Sequence, residues 1–494
     1  MSNTEFALSN TQLVALLPLI TFATVITIVL LAIPFWRSLK GICALTVVGL
    51  LISLATIIWT SPTAPSATPL LVIDAFASLF MTLICLATLA VALLAYDYLK
   101  GRDGQQEEFF LLLLLAALGA MVLVCSSHFA SFLLGLELLG ISLYALISFP
   151  IRGLATLEAA LKYLILSGVA SAFLLFGAAL IYAAQGTLSF EQLGRQGFNL
   201  AAGSDRLYII AGSALMLAGI GFKLSLVPFH MWTPDVYQGA PAPVTAFVAT
   251  VSKGAIFAIL LRFFILTDAY EYQSIVIGLS IIAILSMLAG NLLALMQSSI
   301  KRILAYSSIA HLGYLLVAFI VAGIAGGAAL AVEAASYFLV AYFITTLGAF
   351  GIVSIMSSGE QDLDDIASYE GLFSRRPFLA ASFTAMLLSL AGIPLTVGFV
   401  GKFYIFAAGV QGARWLLLAA LIVGSGIGLF YYLRIVFAMT KRSPDQGETP
   451  STQITIPVAG GWVLLSLTGL LVALGIYPTP LIELIDRMVQ SLPL

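Results

Sequence analysis

Gly221-Phe222-Lys223-Leu224-Ser225-Leu226-Val227-Pro228-Phe229-His230-Met231-Trp232-Thr233-Pro234 places a lysine inside an apolar run, with a proline five residues after it. Proline removes a backbone donor and clashes with the preceding turn, so a helix through this stretch breaks near Pro228 and frees carbonyls close to the amine. The same pairing returns in Ala391-Gly392-Ile393-Pro394-Leu395-Thr396-Val397-Gly398-Phe399-Val400-Gly401-Lys402. Two discontinuous helices, each carrying an amine, decide how the rest of the chain is read.

The flanking sequence fits only one solvent. Of 494 residues, 61% are hydrophobic and 9% charged, against roughly a quarter charged in a soluble domain. A soluble globule, a disordered chain and a coiled coil are excluded. Three cysteines, Cys43, Cys85 and Cys125, are too few for a disulfide scaffold and lack C-x-x-C spacing, so they read as small core residues. The net charge of −2 points to no nucleic acid.

The fold class expected is all-α, a polytopic membrane protein of about 14 transmembrane helices, since one crossing of the ~30 Å hydrocarbon takes about 20 residues. Spans are expected at 13–35, 41–60, 70–98, 107–126, 128–149, 157–184, 206–238, 243–267, 272–297, 300–324, 328–357, 372–411, 412–440 and 454–478. The seventh and twelfth are too long for one straight crossing and are the two broken helices. Met1 to Gln12 lacks a basic segment of the kind that precedes a cleaved signal, so the first span is expected to be retained.

Lysine and arginine fall unevenly on alternate connections. Arg37, Lys40, Lys100, Arg102, Arg152, Lys301, Arg302, Arg375, Arg376, Lys441 and Arg442 share one side, while Arg195, Arg206, Arg262, Arg414 and Arg487 lie at or near the other. The first side is therefore expected to be cytoplasmic, with both termini outside. Gln361-Asp362-Leu363-Asp364-Asp365 reads as a solvated loop end and Ser61-Pro62-Thr63-Ala64-Pro65 as an exterior turn. The broken helices then run in opposite directions, five positions apart. That spacing suggests two inverted five-helix repeats, helices 4–8 and 9–13, with ion chemistry at each discontinuity. The organisation expected is a three-helix segment over 1–106, a first repeat over 107–267, a second over 268–440, and a last helix with its tail over 441–494.

Five Lys and Arg side chains remain within spans: Lys162, Lys223, Lys253, Lys402 and Arg434. Arg434 is near enough to its helix end to snorkel. Glu137 sits near the middle of the fifth span. Glu137 with the four lysines costs roughly 12–17 kcal/mol on an insertion scale, comparable to the ~5–15 kcal/mol stability of a whole domain. Such groups pair with one another or line a wet path, and both options place them inside the bundle. An amine in a low-dielectric site can release its proton, whereas a guanidinium effectively cannot. The lysines are thus candidate proton carriers, with Glu137 a switch that holds or frees the proton of a partner such as Lys223. A static buried ion pair is the competing reading, strongest for Lys162, which lies near the cytoplasmic end of its span.

His311 is about mid-span and can both accept and donate a proton. His230, just past Pro228, is a second candidate; for both, a satisfied core histidine is the alternative. His128 reads as incidental. Asp235 and Tyr237, at the cytoplasmic end of the seventh span, read as a proton entrance or equally as a helix cap or solvated loop residues, while Asp74, Asp97 and Glu333 lie at helix ends and need no special role. Gly401-Lys402 is followed by Phe403 and makes no Walker A loop; no G-x-G-x-x-G follows a strand, and H-E-x-x-H is absent. Gly424 and Gly428 are spaced for close helix packing rather than dimerisation.

Moving a charge through the membrane field takes about 2.3 kcal/mol per 100 mV, and no motif in the chain supplies it. The stretch FKLSLVPFHMWTPDVYQGAP from Phe222 to Pro241 resembles the antiporter-like subunits of the bacterial proton-translocating NADH:quinone oxidoreductase, respiratory complex I. So do Glu137, Leu157-Glu158-Ala159-Ala160-Leu161-Lys162-Tyr163, Thr250-Val251-Ser252-Lys253 and Gly392-Ile393-Pro394 through Lys402. Within that family, a lysine at 402 and a short C-terminal end resemble the subunit N branch. The resemblance implies fourteen helices, two inverted repeats and functional roles for Glu137, Lys162, Lys223, Lys253 and Lys402. It implies no cofactor on this chain, with NADH, FMN, iron–sulfur clusters and quinone in partner subunits. The implied partners are other membrane-arm subunits, among them another antiporter-like subunit and small membrane subunits, together with membrane lipid and protons, in a bacterial inner membrane. On this reading Glu137 senses the neighbouring subunit, Lys223 loads, Lys253 and His311 pass the proton along the midplane, and Lys402 releases it outward. A cation/proton antiporter subunit is the alternative, and a membrane scaffold whose charges only fix registry is a third.

Overall fold

The computed structural model describes residues 9–60, 67–100, 102, 104–149, 153–196, 204–267, 269–271, 273–323, 327–357, 362–441 and 456–492. The expectations for Arg152, Gln361, Arg442 and the turn at 61–65 lie outside these residues.

Apolar runs become helices because in hydrocarbon each backbone polar group must find its partner within the segment. α1 (Asn10–Phe35) opens on a capping box in which Ser9 and Gln12 exchange side-chain and backbone bonds. α2 (Leu39–Thr60) follows, then α3 (Ala75–Leu99), which starts later than the expected 70 because the Asp74 carboxylate accepts from Ala77 N and sets the N-cap. α4 (Glu108–Cys125), α5 (Phe129–Ile147) and α6 (Leu154–Gln185) are continuous. A short α7 (Phe190–Gln196) precedes α8 (Ser204–Lys223) and α9 (Trp232–Gly239), the two halves of the seventh crossing.

The eighth crossing is α10 (Ala242–Phe247), a π-helical turn over Val248–Ser252, and α11 (Lys253–Thr267). Lys253 is the first residue beyond that turn, the kind of helix irregularity that marks functional positions. α12 (Gln273–Leu295), α13 (Ile300–Val321) and α14 (Ala328–Met356) are continuous. After the single-turn α15 (Leu372–Arg375), the twelfth crossing is split into α16 (Pro377–Ala391) and α17 (Val397–Gln411). α18 (Trp415–Thr440) and α19 (Val458–Ile476) complete the crossings, and α20 (Thr479–Gln490), amphipathic and unforeseen in the tail, packs on α14 and α3. Among the described residues thirteen helical segments are long and apolar enough to cross a membrane, and the shorter apolar helices α16 and α17 stand where the remaining, broken crossing is expected.

Packing repeats itself. α4 lies on α5 and α6 on α8; in the second half α12 lies on α13 and α14 on α16 and α17. Corresponding glycines allow the close crossings: a Cβ at Gly119 would come within 2.5 Å of Leu139 N, and one at Gly290 within 2.7 Å of Ala310 N. Gly424 and Gly428 face Asn291 on α12, so their spacing serves packing within the chain. The three cysteines are free and buried. The core belongs to α10–α11 and α13, whose most apolar stretches are wholly buried, whereas in α1, α2, α6 and α12 only 39% is.

Several charges lie deeper than the sequence suggests. Arg262, expected at the exterior surface, is 6% exposed and makes a two-pronged ion pair with Asp74 at 2.7 and 2.9 Å. Lys301, expected in cytoplasmic water, is 1% exposed and pairs with Asp362 at 2.7 Å. Asp362 and Asp364 are therefore not a solvated loop end: Asp364 accepts from Ser299 at 2.7 Å and Gln238 at 3.1 Å. Arg434 donates to the carbonyls of Leu295 and Gln297, capping the end of α12.

Candidate functional site

Both breaks are stabilised by serine. At the first, Leu226 N donates to Gly221 O at 2.7 Å and Val227 N to the Ser286 hydroxyl of α12 at 3.0 Å. At the second, Gly392 takes φ +88°, a conformation natural only to glycine, and Gly398 N donates to Ser389 Oγ at 3.0 Å. The Lys402 amine donates to the freed Ala391 carbonyl at 2.8 Å, as the Pro394 pattern predicts.

Lys223 behaves differently. Its amine, 4% exposed, donates to Ser167 Oγ of α6 at 2.7 Å, and Tyr144 OH of α5 donates to the same hydroxyl at 2.9 Å. The expected direct pair with Glu137 is absent among the described residues: no ion pair joins them within 4.0 Å, and Glu137 Oε1 is buried without a partner. Glu137 is half-buried, on a face of α5 shared with the exposed Leu134 and Ile141. A helix places residues three and four apart on one side, so this carboxylate sits at the rim of the bundle.

Lys253 donates to Ser308 Oγ of α13 at 2.5 Å and lies over the Tyr237 ring at 5.2 Å. Tyr342 OH of α14 donates to the same Ser308 hydroxyl at 2.9 Å, and its ring is 5.8 Å from His311. His311 Nε2 faces Tyr432 OH at 3.4 Å, Tyr432 hydrogen-bonds Ser307, and His311 Nδ1 is buried without a partner. The His311 ring is 5.4 Å from Tyr314, whose ring lies 5.2 Å from the Lys402 amine. Tyr314, Asn291 and Tyr431 close the cluster through bonds of 2.8 and 3.1 Å. Lys253, His311 and Lys402 thus belong to one buried cluster, joined by hydrogen bonds around Ser308 and by ring contacts around His311 and Tyr314.

Two candidates stand apart. Lys162 is not a core charge: its side chain is 40% exposed and paired with Glu158 and Asp235, each at 2.7 Å. Asp235 also holds Arg302 at 2.9 Å, so it is an ion-pair hub rather than a cap. His230 is buried between α8 and α9 with both ring nitrogens unpartnered, and no hydrogen bond ties it to the lysines. Sequence reasoning missed the hydroxyls that receive the amines, Ser167 and Ser308, and the tyrosines 144, 314, 342 and 432. The signal available was Ser307-Ser308 lying one turn before His311 on α13.

A polar cavity of about 520 Å³ opens beside Lys162, Asp235, Lys301, Asp362 and Asp364. Among the described residues no group of three His, Cys, Asp or Glu side chains is placed to hold a metal ion.

Over 98% of its length the chain is 49% identical to NADH-quinone oxidoreductase subunit N of Methylococcus capsulatus, covering 97% of that protein. The chain belongs to the subunit N family. A family model described as NADH:quinone oxidoreductase/Mrp antiporter, transmembrane region, matches residues 126–428, which take in Glu137, Lys223, Lys253, His311 and Lys402. A chain of respiratory complex I from Thermus thermophilus, 34% identical, superposes with a TM-score of 0.79 over 94% of this chain and 98% of that one. A chain of the Mrp complex from Dietzia, 21% identical, superposes with a TM-score of 0.84 over 97% of both, a likeness of fold alone. In this subunit N family member the antiporter-like architecture carries a lysine, Lys402, at the second break.

Proposed function

We propose that this chain translocates protons across the bacterial inner membrane as a subunit of complex I. NADH oxidation and quinone reduction, with FMN and iron–sulfur clusters, take place in partner subunits. The observation that carries the reading is that Lys253, His311 and Lys402 share one buried cluster: hydrogen bonds join Lys253, Ser308 and Tyr342, and ring contacts lead on from Tyr342 through His311 and Tyr314 to Lys402. Hydroxyls and an imidazole both donate and accept, so these groups can pass a proton between the two amines once side-chain rotation turns the ring contacts around His311 and Tyr314 into hydrogen-bonded steps.

Lys223 joins the line through the electric field rather than through a hydrogen-bond chain. Between it and Lys253 stand Phe222, Trp232 and Tyr237, ring on ring. Charges separated by a poorly polarisable medium feel one another strongly. A change of protonation at Lys223 therefore biases Lys253 without a proton crossing the aromatic wall. Glu137, at the rim, faces a neighbouring membrane-arm subunit and transmits its state inward. The bias of Lys and Arg puts the Lys162–Asp235–Arg302 end in the cytoplasm and both termini outside, and the repeats run over 107–267 and 268–440.

The test is Lys223→Ala in the assembled complex, with protons moved per NADH measured in sealed vesicles. Pumping is expected to be abolished while flavin and iron–sulfur proteins still copurify; an unchanged proton yield would reject the role of Lys223.

A further inference from the structure

Lys301 is a buried ammonium that the line of proton carriers does not use. It stands at the start of α13, 1% exposed, and donates to Asp362 Oδ2 at 2.7 Å and to the carbonyl of Ala240 at 2.6 Å. Tyr98 of α3 donates to the other Asp362 oxygen at 2.7 Å. Ala240 is the corner between α9 and α10, the point from which the helix bearing Lys253 sets out. Four parts of the chain therefore meet at one amine: α3, the α9–α10 corner, α13 and the segment after α14.

We propose that Lys301 is a positioning residue for the proton path, holding the helix that carries Lys253 in register with the helix that carries Ser308 and His311. The reading rests on the function proposed above. Lys301 and Ser308 are seven residues apart, two turns on one face of α13 and about 10.5 Å along its axis. On that single face, one amine grips the start of α10 and one hydroxyl receives the amine of α11. The distance between Lys253 and Ser308 is thereby set at two points, and a slip at the corner is carried up the helix, since packed helices shift as units.

Neighbouring contacts share the load. Ile300 N donates to Asp364 O at 2.6 Å, Ile366 N to Ser298 O at 3.1 Å, and Arg302 holds Asp235. These stitch the same surfaces together at the rim of the 520 Å³ cavity. Lys301 is the member that reaches the backbone of the corner itself. Lysine suits the task because its three donors can point to a carboxylate and a carbonyl that lie in different directions, which the planar fork of arginine does less well. Removing one partner of a buried pair is far more costly than losing a surface contact.

The test uses the whole complex reconstituted in vesicles, carrying Lys301→Met, Lys301→Arg or, as comparator, Lys223→Ala. Three quantities are read: copurification of the flavin and iron–sulfur subunits, protons per NADH, and amide hydrogen exchange over residues 240–252. Lys301→Met should assemble, exchange faster over 240–252 and lose about fivefold in proton yield, the scale of a coupling of roughly 1 kcal/mol; Lys301→Arg should restore more than about half. Wild-type exchange and yield in Lys301→Met would overturn the proposal. So would Lys301→Arg with normal exchange and no pumping, because Lys301 would then be exchanging protons itself. If Lys301→Met fails to assemble, Tyr98→Phe takes its place: it removes one hydrogen bond from Asp362 and should give a smaller change of the same kind, and no change there overturns the inference. Normal pumping in Lys223→Ala rejects the role of Lys223 on which the proposed path rests; pumping lost there but kept in Lys301→Met sinks only the positioning role.

Discussion

The Lys402 amine donates to the Ala391 carbonyl across the break between α16 and α17, 2.8 Å away. The break frees a carbonyl that the helix would otherwise have used, and the side chain eleven residues later satisfies it. Lys223 has no such tie to its own break and reaches sideways to Ser167 instead. The two halves of the fold thus hold their amines by different means, one by backbone and one by a hydroxyl of a neighbouring helix.

Lys402→Arg keeps the cation and its carbonyl partner but loses a group able to give up its proton at ordinary pH. Proton pumping should fall by roughly a hundredfold, the lower range of a lost acid–base step, while the complex stays assembled. Quenching of a pH-sensitive dye in NADH-energised vesicles measures it, and retained quenching would show that Lys402 only needs to be charged.

Ser308→Ala removes the hydroxyl shared by Lys253 and Tyr342. A buried donor left unsatisfied costs about 1–3 kcal/mol, so the variant should pump slowly and unfold at a lower temperature. Ser308→Thr, which restores the hydroxyl, should recover both. Equal defects in the alanine and threonine variants would mean that volume, not the hydroxyl, matters.

Glu137→Gln replaces a rim carboxylate that has an unpartnered oxygen. No ion pair is broken within the chain, so thermal stability should hold or rise slightly, whereas pumping should drop if the charge is what conveys the neighbour's state. Full activity in this variant would favour a scaffold role for the carboxylate.

Asp74→Ala strips Arg262 of both its carboxylate contacts and removes the N-cap of α3. Breaking a buried pair on one side costs about 3–5 kcal/mol. The unfolding midpoint should fall markedly, and the double variant with Arg262→Met should recover part of the loss. Additive effects of the two single changes would argue that they do not interact.

Fourteen crossings and both discontinuities are legible in the sequence, because a proline beside a lysine in an apolar run has few other readings. Lys223, Lys253 and Lys402 stand out for the same reason: a charge is conspicuous where hydrocarbon is expected. Ser167 and Ser308 do not, since serine is unremarkable in membrane helices and only its neighbour reveals its use. Arg262 and Lys301 look like surface residues from their places near the ends of apolar runs. Their partners, Asp74 and Asp362, come from segments 188 and 61 residues distant in sequence, and no local pattern announces such meetings. The direct pairing of Glu137 with Lys223 is not found among the described residues: Glu137 lies on the face of α5 shared with the exposed Leu134 and Ile141, while the Lys223 amine donates to Ser167 on α6.

α13 is enclosed by protein along its whole apolar stretch. It works like the sheathed conductor of a cable: sideways leakage into the bilayer is shut off, and whatever travels along the line must enter and leave through the terminals.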